Sequence, residues 1–417
     1  MSVQIISSMP GSGKSTWAFR YMNKHSDELW MYVSPYLDEV GDGKSPKRIH
    51  KECESLDFAS PSDRGQNKSD HLLALLQEGR NVAITHSLFN RLTIDHVVHI
   101  KSKGYSLIID EALDSINLLD VTTELKQDLA ALMATGFINR NQDDSLSWAE
   151  DKPCLSPYVD IKEHCDKHEL YLYQNEIYIK RSNTKAIEGA KQVFVMTYLF
   201  ESSYMRCWLD INKIDYHYYT PKEILPEDTL KQQLRDNIMV ADVPRKIIKF
   251  QQSLDKPNSA FNVTAYKKMK PDDFKQVKRS MESAVRQYRD HPHLQGEKVD
   301  VLWTTFSKYR DKLEGAGYTR GKGGDVEDAP EPFAAKNTRA SNKYKDKNLI
   351  LYVVNIFPHK NISQYLKSLK VEIDVDMVAL AECIQFVYRS CLRDNKPAIL
   401  VFFSERMRKI FLEWLEQ

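Results

Sequence analysis

Short apolar runs alternate along the whole chain with stretches whose apolar residues recur every three or four positions. Runs of four to six read as buried strands, and the longer spacing reads as helix. The first half predicts strands at Val3–Ser7, Leu29–Ser34, Asn81–Thr85, Ser106–Asp110 and Gln192–Thr197, with helices such as His71–Glu78 and Thr122–Met133 between them. The second half predicts strands at Lys246–Phe250, Val299–Thr304, Leu349–Val354 and Ala398–Phe403, and helices at Asp272–Asp290, Ile362–Leu369, Val378–Leu392 and Glu405–Leu415. Such alternation predicts α/β layering on parallel sheets. Glu169–Arg181 alternates around Asn175 instead, and predicts a hairpin appended to the sheet. Pro221, Pro226 and Pro244 punctuate polar sequence, which places a boundary between a first domain over 1–235 and a second over 236–417. A Gly/Pro-rich insertion follows near 315–336.

Composition narrows the class only a little. The 417 residues imply two or three domains, and 42% apolar content is enough for ordinary cores. A net charge of +1 leaves no global field, so any basic surface is local. Lys267, Lys268, Lys270, Lys275, Lys278 and Arg279 form one such patch at the start of a helix. Six cysteines without CxxC spacing indicate reduced thiols in a cytoplasmic protein. No run approaches a membrane span of roughly 20 residues, and the motif near residue 8 leaves no room for a leader.

That motif is Ser8-Met-Pro-Gly-Ser-Gly-Lys-Ser-Thr16, directly after the first strand. Gly11, Ser12 and Gly13 suit a loop whose backbone N–H groups close around phosphate oxygens; Lys14 supplies charge for the β- and γ-phosphates, and Ser15, followed by Thr16, offers a hydroxyl to Mg²⁺. The chain is therefore expected to bind ATP. Leu107-Ile-Ile-Asp110-Glu111 is a buried strand ending in paired carboxylates. Beside a phosphate loop, Asp110 would hold Mg²⁺ through water and Glu111 would deprotonate the attacking water. Gln385, Arg389 and Arg393 recur every four residues and share one face of the predicted helix, where guanidinium groups suit a γ-phosphate. Cys154, His164, Cys165 and His168 match no zinc spacing. Glu372, Asp374 and Asp376 read as the exposed face of an extended stretch.

In this order, Gly-Ser-Gly-Lys-Ser, Asp-Glu-Ala-Leu and Gln-x-x-x-Arg-x-x-x-Arg resemble motifs I, II and VI of superfamily-two helicases, and more narrowly the DEAD/DEAH-box-like helicases of tailed bacteriophages. The segments beginning at Tyr32, Ile84, Val195, Leu302 and Asn337 take the places of motifs Ia, Ib, III, IV and V. Ser8 stands where motif I has glycine or alanine, the box ends in leucine, and the second arginine of motif VI falls one position late. The resemblance implies two RecA-like parallel-sheet α/β domains in tandem, with ATP and Mg²⁺ in the cleft between them and nucleic acid across both. Ser34, Pro35, Tyr36, Thr85, His86, Trp303, Thr304, Thr305 and Asn342 would track the strand, with Thr197 and Tyr198 coupling it to hydrolysis. The implied activity is an ATP-dependent helicase or translocase for single-stranded or duplex nucleic acid, DNA favoured over RNA, serving phage replication or recombination in the host cytoplasm. The rivals are a viral DNA-packaging motor, a small-molecule kinase, and a nucleic-acid-binding ATP switch without unwinding activity.

Overall fold

The computed structural model describes residues 2–43, 45–63, 67–154, 156–319, 331–335 and 342–417. The chain forms two compact units: one comprises Met1–Ser7, Lys14–Pro221 and His359–Ile373, the other Ser8–Gly13, Lys222–Pro358 and Asp374–Gln417.

The first unit is built on seven parallel strands. In chain order these are β1 (Val3–Ser7), β2 (Trp30–Ser34), β3 (Phe58–Ala59), β4 (Asn81–Thr85) and β5 (Ser106–Asp110), followed after an insertion by two more. The insertion contributes β6 (Ile116–Leu118), β7 (Ile138–Arg140), β8 (Leu146–Trp148), β9 (Leu170–Tyr173) and β10 (Ile177–Arg181). The main sheet then closes with β11 (Val193–Thr197) and β12 (Tyr216–Tyr218), in the order β12-β1-β11-β5-β2-β4-β3. Its central strands read as unbroken apolar runs because helices cover both faces, and β2, β5 and β11 are buried throughout. The expected hairpin exists as β9 and β10, but it is not an extension of the main sheet. It pairs antiparallel with β6 in a separate three-stranded sheet over its own apolar cluster, which includes Leu129, Trp148, Ile161 and Leu170.

The second unit carries a parallel sheet of β13 (Ile238–Ala241), β14 (Val301–Thr304), β15 (Leu349–Tyr352) and β16 (Ala398–Phe402), in the order β13-β16-β15-β14. The strand expected at Lys246–Phe250 is instead a helix, Arg245–Gln252. Pro244 stands at its N-cap, and its buried residues, Ile247, Phe250 and Gln251, fall at helical spacing. One edge strand of the sheet is the preceding Ile238–Ala241.

Helix Lys360–Ser368 lies in sequence between β15 and β16 but belongs to the first unit. Ile362, Tyr365 and Leu366 are buried in that unit's core, the Tyr173 hydroxyl donates to the Gln364 carbonyl at 3.2 Å, and Arg206 donates to the carbonyl of Glu372.

Candidate functional site

Strand register brings the chemistry-bearing positions of the first unit to one edge of its sheet. Ser7 lies opposite Thr197, Met196 opposite Asp110, and Ser34 opposite Thr85. Parallel strands deliver all these residues at their carboxyl ends, where α/β sheets place ligands. Lys14 opens the helix Lys14–Lys24 that follows β1.

The loop between β1 and Lys14 needs its glycines. Gly11 and Gly13 have φ of 83° and 94°, and a Cβ at either would meet nothing within 4 Å, so the requirement is conformational rather than steric. The loop's Ser12 carbonyl accepts from the Leu225 N–H at 3.0 Å, while its Oγ is buried with no hydrogen-bond partner among the described residues. Such an orphaned hydroxyl fits a loop shaped for oxygen-rich ligands. Ser15 and Thr16 are half-buried in the first helical turn.

Asp110 and Glu111 are held by different devices. Asp110 is buried; its Oδ2 accepts from the Tyr32 hydroxyl at 3.1 Å, and its carbonyl is bonded to the His86 ring at 2.8 Å. Burial, then the nearby carboxylates of Glu39 and Glu111, push the Asp110 acid well above its usual range, with Lys14 opposing. Burial likewise lowers the Lys14 ammonium, while Glu111 and Asp110 pull it back up. Glu111 sits in the left-handed region at φ 64°, a conformation that costs a non-glycine residue roughly 1–2 kcal/mol. Its N–H donates to the Met196 carbonyl at 2.7 Å, and Thr197 Oγ1 donates to its Oε2 at 3.3 Å. Held strain of this kind is characteristic of functional turns.

Three neighbours escaped the sequence reading as site residues. Glu39 accepts from the Ser34 hydroxyl at 2.8 Å and from the Tyr32 hydroxyl at 3.4 Å, and pairs with Arg48 at 3.3 Å. Tyr32 and Glu39 lie in the segment assigned to motif Ia, and the polar hydroxyl within an otherwise apolar strand was the available signal.

Asp110→Asn separates stability from function. A carboxyl raised in the fold contributes stability below its unfolded value of 3.8, and that contribution is lost as pH rises through the folded value. At neutral pH the ionised group therefore opposes folding. The amide keeps an acceptor for Tyr32, so the variant is expected to melt higher by about 2–4 °C for each kcal/mol of relieved charge burial and repulsion. Thermal unfolding at pH 7 without ligand tests this; an unchanged or lower midpoint refutes it.

The remaining candidates are placed unevenly. Ser34, His86, Thr197 and Tyr198 are buried, Pro35 and Tyr36 are half-buried, and Thr85 accepts from the Leu88 N–H as a helix cap. In the second unit Trp303, Thr304 and Thr305 are buried, with Thr305 Oγ1 donating to the Tyr266 hydroxyl at 3.0 Å. Residues 337–341 and the side chain of Asn342 lie outside the described residues. The single helix expected to carry Gln385, Arg389 and Arg393 is not continuous. It spans Val375–Val387 and is capped by Tyr388; Ser390 then caps a separate 3-10 turn, Cys391–Asp394. Gln385 is half-buried on the helix. Arg389 is buried past its end, over the Phe386 ring with its Nη1 donating to the Ala335 carbonyl at 3.4 Å, and Arg393 is exposed on the turn. The helix also begins earlier than expected, with Asp374 as its N-cap and Asp376 in its first turn, ion-paired to Arg406 at 2.5 Å. His164 bonds to Glu169 at 2.9 Å. No described helix is long and apolar enough to cross a membrane.

Residues 232–415 match the family of the YonV C-terminal Rossmann-like domain. The whole chain is similar to the SPbeta prophage-derived uncharacterized protein YonV of Bacillus subtilis (strain 168), at 28% identity over 99% of this chain and 98% of that protein. Among solved structures, Xpd4 of S. tokodaii has a TM-score of 0.50 at 11% identity, covering all of this chain and 94% of its own. A hypothetical ATP-dependent RNA helicase from Sulfolobus tokodaii aligns at a TM-score of 0.27 and 11% identity. The first of these structures supports the parallel-sheet α/β fold.

Proposed function

We propose that this chain is an ATP-dependent nucleic-acid motor, a helicase or translocase of prophage type. The observation that carries the reading is the convergence of Lys14, Asp110, Glu111 and Thr197 on one edge of a parallel sheet, with glycines of the required positive φ preceding Lys14 in the chain. In this reading the loop N–H groups and Lys14 hold the triphosphate, and Glu111 orients and deprotonates water. The Ser15 hydroxyl and the Asp110 carboxylate suit Mg²⁺, which keeps several waters and needs few protein oxygens. Bound there, the ion would neutralise phosphate charge. Arg389 or Arg393 supplies the guanidinium that a transferring phosphoryl group requires. Thr197 links Glu111 to the strand next to β1, which makes it the candidate coupling residue, with buried Tyr198 behind it.

The reading is tested by measuring ATP turnover with and without single-stranded DNA and RNA, in parallel with strand displacement on tailed duplexes. Turnover is expected to rise when the strand is added, and binding to fall steeply with salt, because backbone phosphates dominate affinity. An ATPase indifferent to every nucleic acid offered would favour a small-molecule kinase.

A further inference from the structure

The second unit contains a cavity of about 610 Å³ beside β13, between helices Arg245–Gln252 and Pro271–Tyr288. Its lining includes Arg245, Lys246 and Arg279, together with Ser280, Ser283 and Gln287. We propose that this cleft binds the sugar–phosphate backbone of nucleic acid. The inference rests on the functional reading above and adds to it a contact surface that none of the helicase-like motifs includes.

Three features separate the cleft from an ordinary solvated basic face. The first is pairing. Lys275, one turn away on the long helix, pairs with Asp272 at 3.0 Å as exposed lysines commonly do. Arg245, Lys246 and Arg279 have no ion pair among the described residues, and the lining carboxylate Asp242 is held by Arg408 at 2.8 Å. Three unneutralised cations thus share one concave surface. The second is rigidity. Gln276 Nε2 donates to the Lys246 carbonyl at 2.9 Å, which ties the two cation-bearing helices together. The Ser280 hydroxyl is turned to the Gln276 carbonyl at 2.9 Å, and small side chains leave the floor open. The third is the choice of groups. Exposed Ser283 and Gln287 add neutral donors beside the cations, the mixture that recognises phosphodiesters. Of the two lining rings, Tyr288 is buried and the half-buried His291 packs edge-on to it at 5.6 Å, which leaves little open ring face for a base and favours a backbone over a free nucleotide.

The test uses the full chain. Arg245→Ala/Arg279→Ala is compared with the parent and with Lys101→Ala/Lys409→Ala, which removes two exposed charges elsewhere. Anisotropy of a labelled 20-nucleotide oligothymidylate across a salt series is the primary readout. The expected result is roughly tenfold weaker binding for each guanidinium lost. The salt slope should be smaller by about 0.7 per missing phosphate contact on a single strand, with basal ATP turnover and melting temperature unchanged. Binding and slope equal to the parent's, or an equal loss in the control, overturns the proposal and leaves the motor reading standing. If the parent itself binds neither DNA nor RNA oligomers, the motor reading fails instead. Calorimetry with inorganic pyrophosphate then decides the cleft: heat lost in the Arg variant alone upholds an anion site there, and equal heat overturns it.

Discussion

Glu111→Gln is expected to leave a protein that still takes up ATP but turns it over about 10²–10⁴-fold more slowly, the span that general-base catalysis contributes. The geometry favours so clean a separation. The backbone at Glu111 is already committed to φ 64° by the N–H bond to Met196, and glutamine has the same Cβ and length. Thr197 Oγ1 can donate to the amide oxygen as it does to Oε2. What disappears is the basic oxygen. Phosphate release under saturating ATP, with equilibrium binding of a fluorescent nucleotide, checks the expectation. Parent-like turnover would remove Glu111 from the chemistry, and lost nucleotide binding would make it structural.

Lys14→Ala should reduce turnover by about 10²–10³-fold, the loss typical of one preorganised charge-stabilising donor. Here affinity should fall as well. Lys14 is buried beside Asp110 and Glu111, so its removal leaves those carboxylates facing a polyphosphate without compensation. The two variants therefore split differently: Glu111→Gln acts on turnover alone, Lys14→Ala on turnover and affinity together. Side-by-side titrations of each with ATP and a non-hydrolysable analogue make the comparison. Normal turnover in Lys14→Ala would end the phosphate-site assignment.

What was legible in the sequence was local. β1, β4, β5 and β11 follow from apolar runs that end in polar residues, and the strand-end positions of Thr85, Asp110 and Thr197 follow with them. Lys246–Phe250 misled because the adjacent β-branched Ile247 and Ile248 look strand-like, whereas burial at Ile247, Phe250 and Gln251 and the cap at Pro244 make the segment helical. The row of Gln385, Arg389 and Arg393 failed for a related reason. No glycine or proline marks the stop after Val387, and the break is made by Ser390 capping a new turn. The Tyr32 bond to Asp110 spans 78 positions and has no sequence signature. The same is true of a helix whose core partners lie some 190 positions earlier, as in the Tyr173 bond to Gln364.

That helix, Lys360–Ser368, makes the protein indivisible by a single cut. The chain passes from one unit to the other on entering residue 359 and back on leaving 373, besides its passages at 7–8, 13–14 and 221–222. A fragment ending near residue 235 would lack Ile362, Tyr365 and Leu366 from its core, and the complementary fragment would carry them bare, as a sticky apolar stripe prone to self-association. Neither unit can be traded between relatives as a contiguous cassette, so inheritance must treat the two as one piece. Recombinants joined anywhere between 222 and 358 should bind hydrophobic dyes and aggregate unless the helix and its receptor surface come from the same parent.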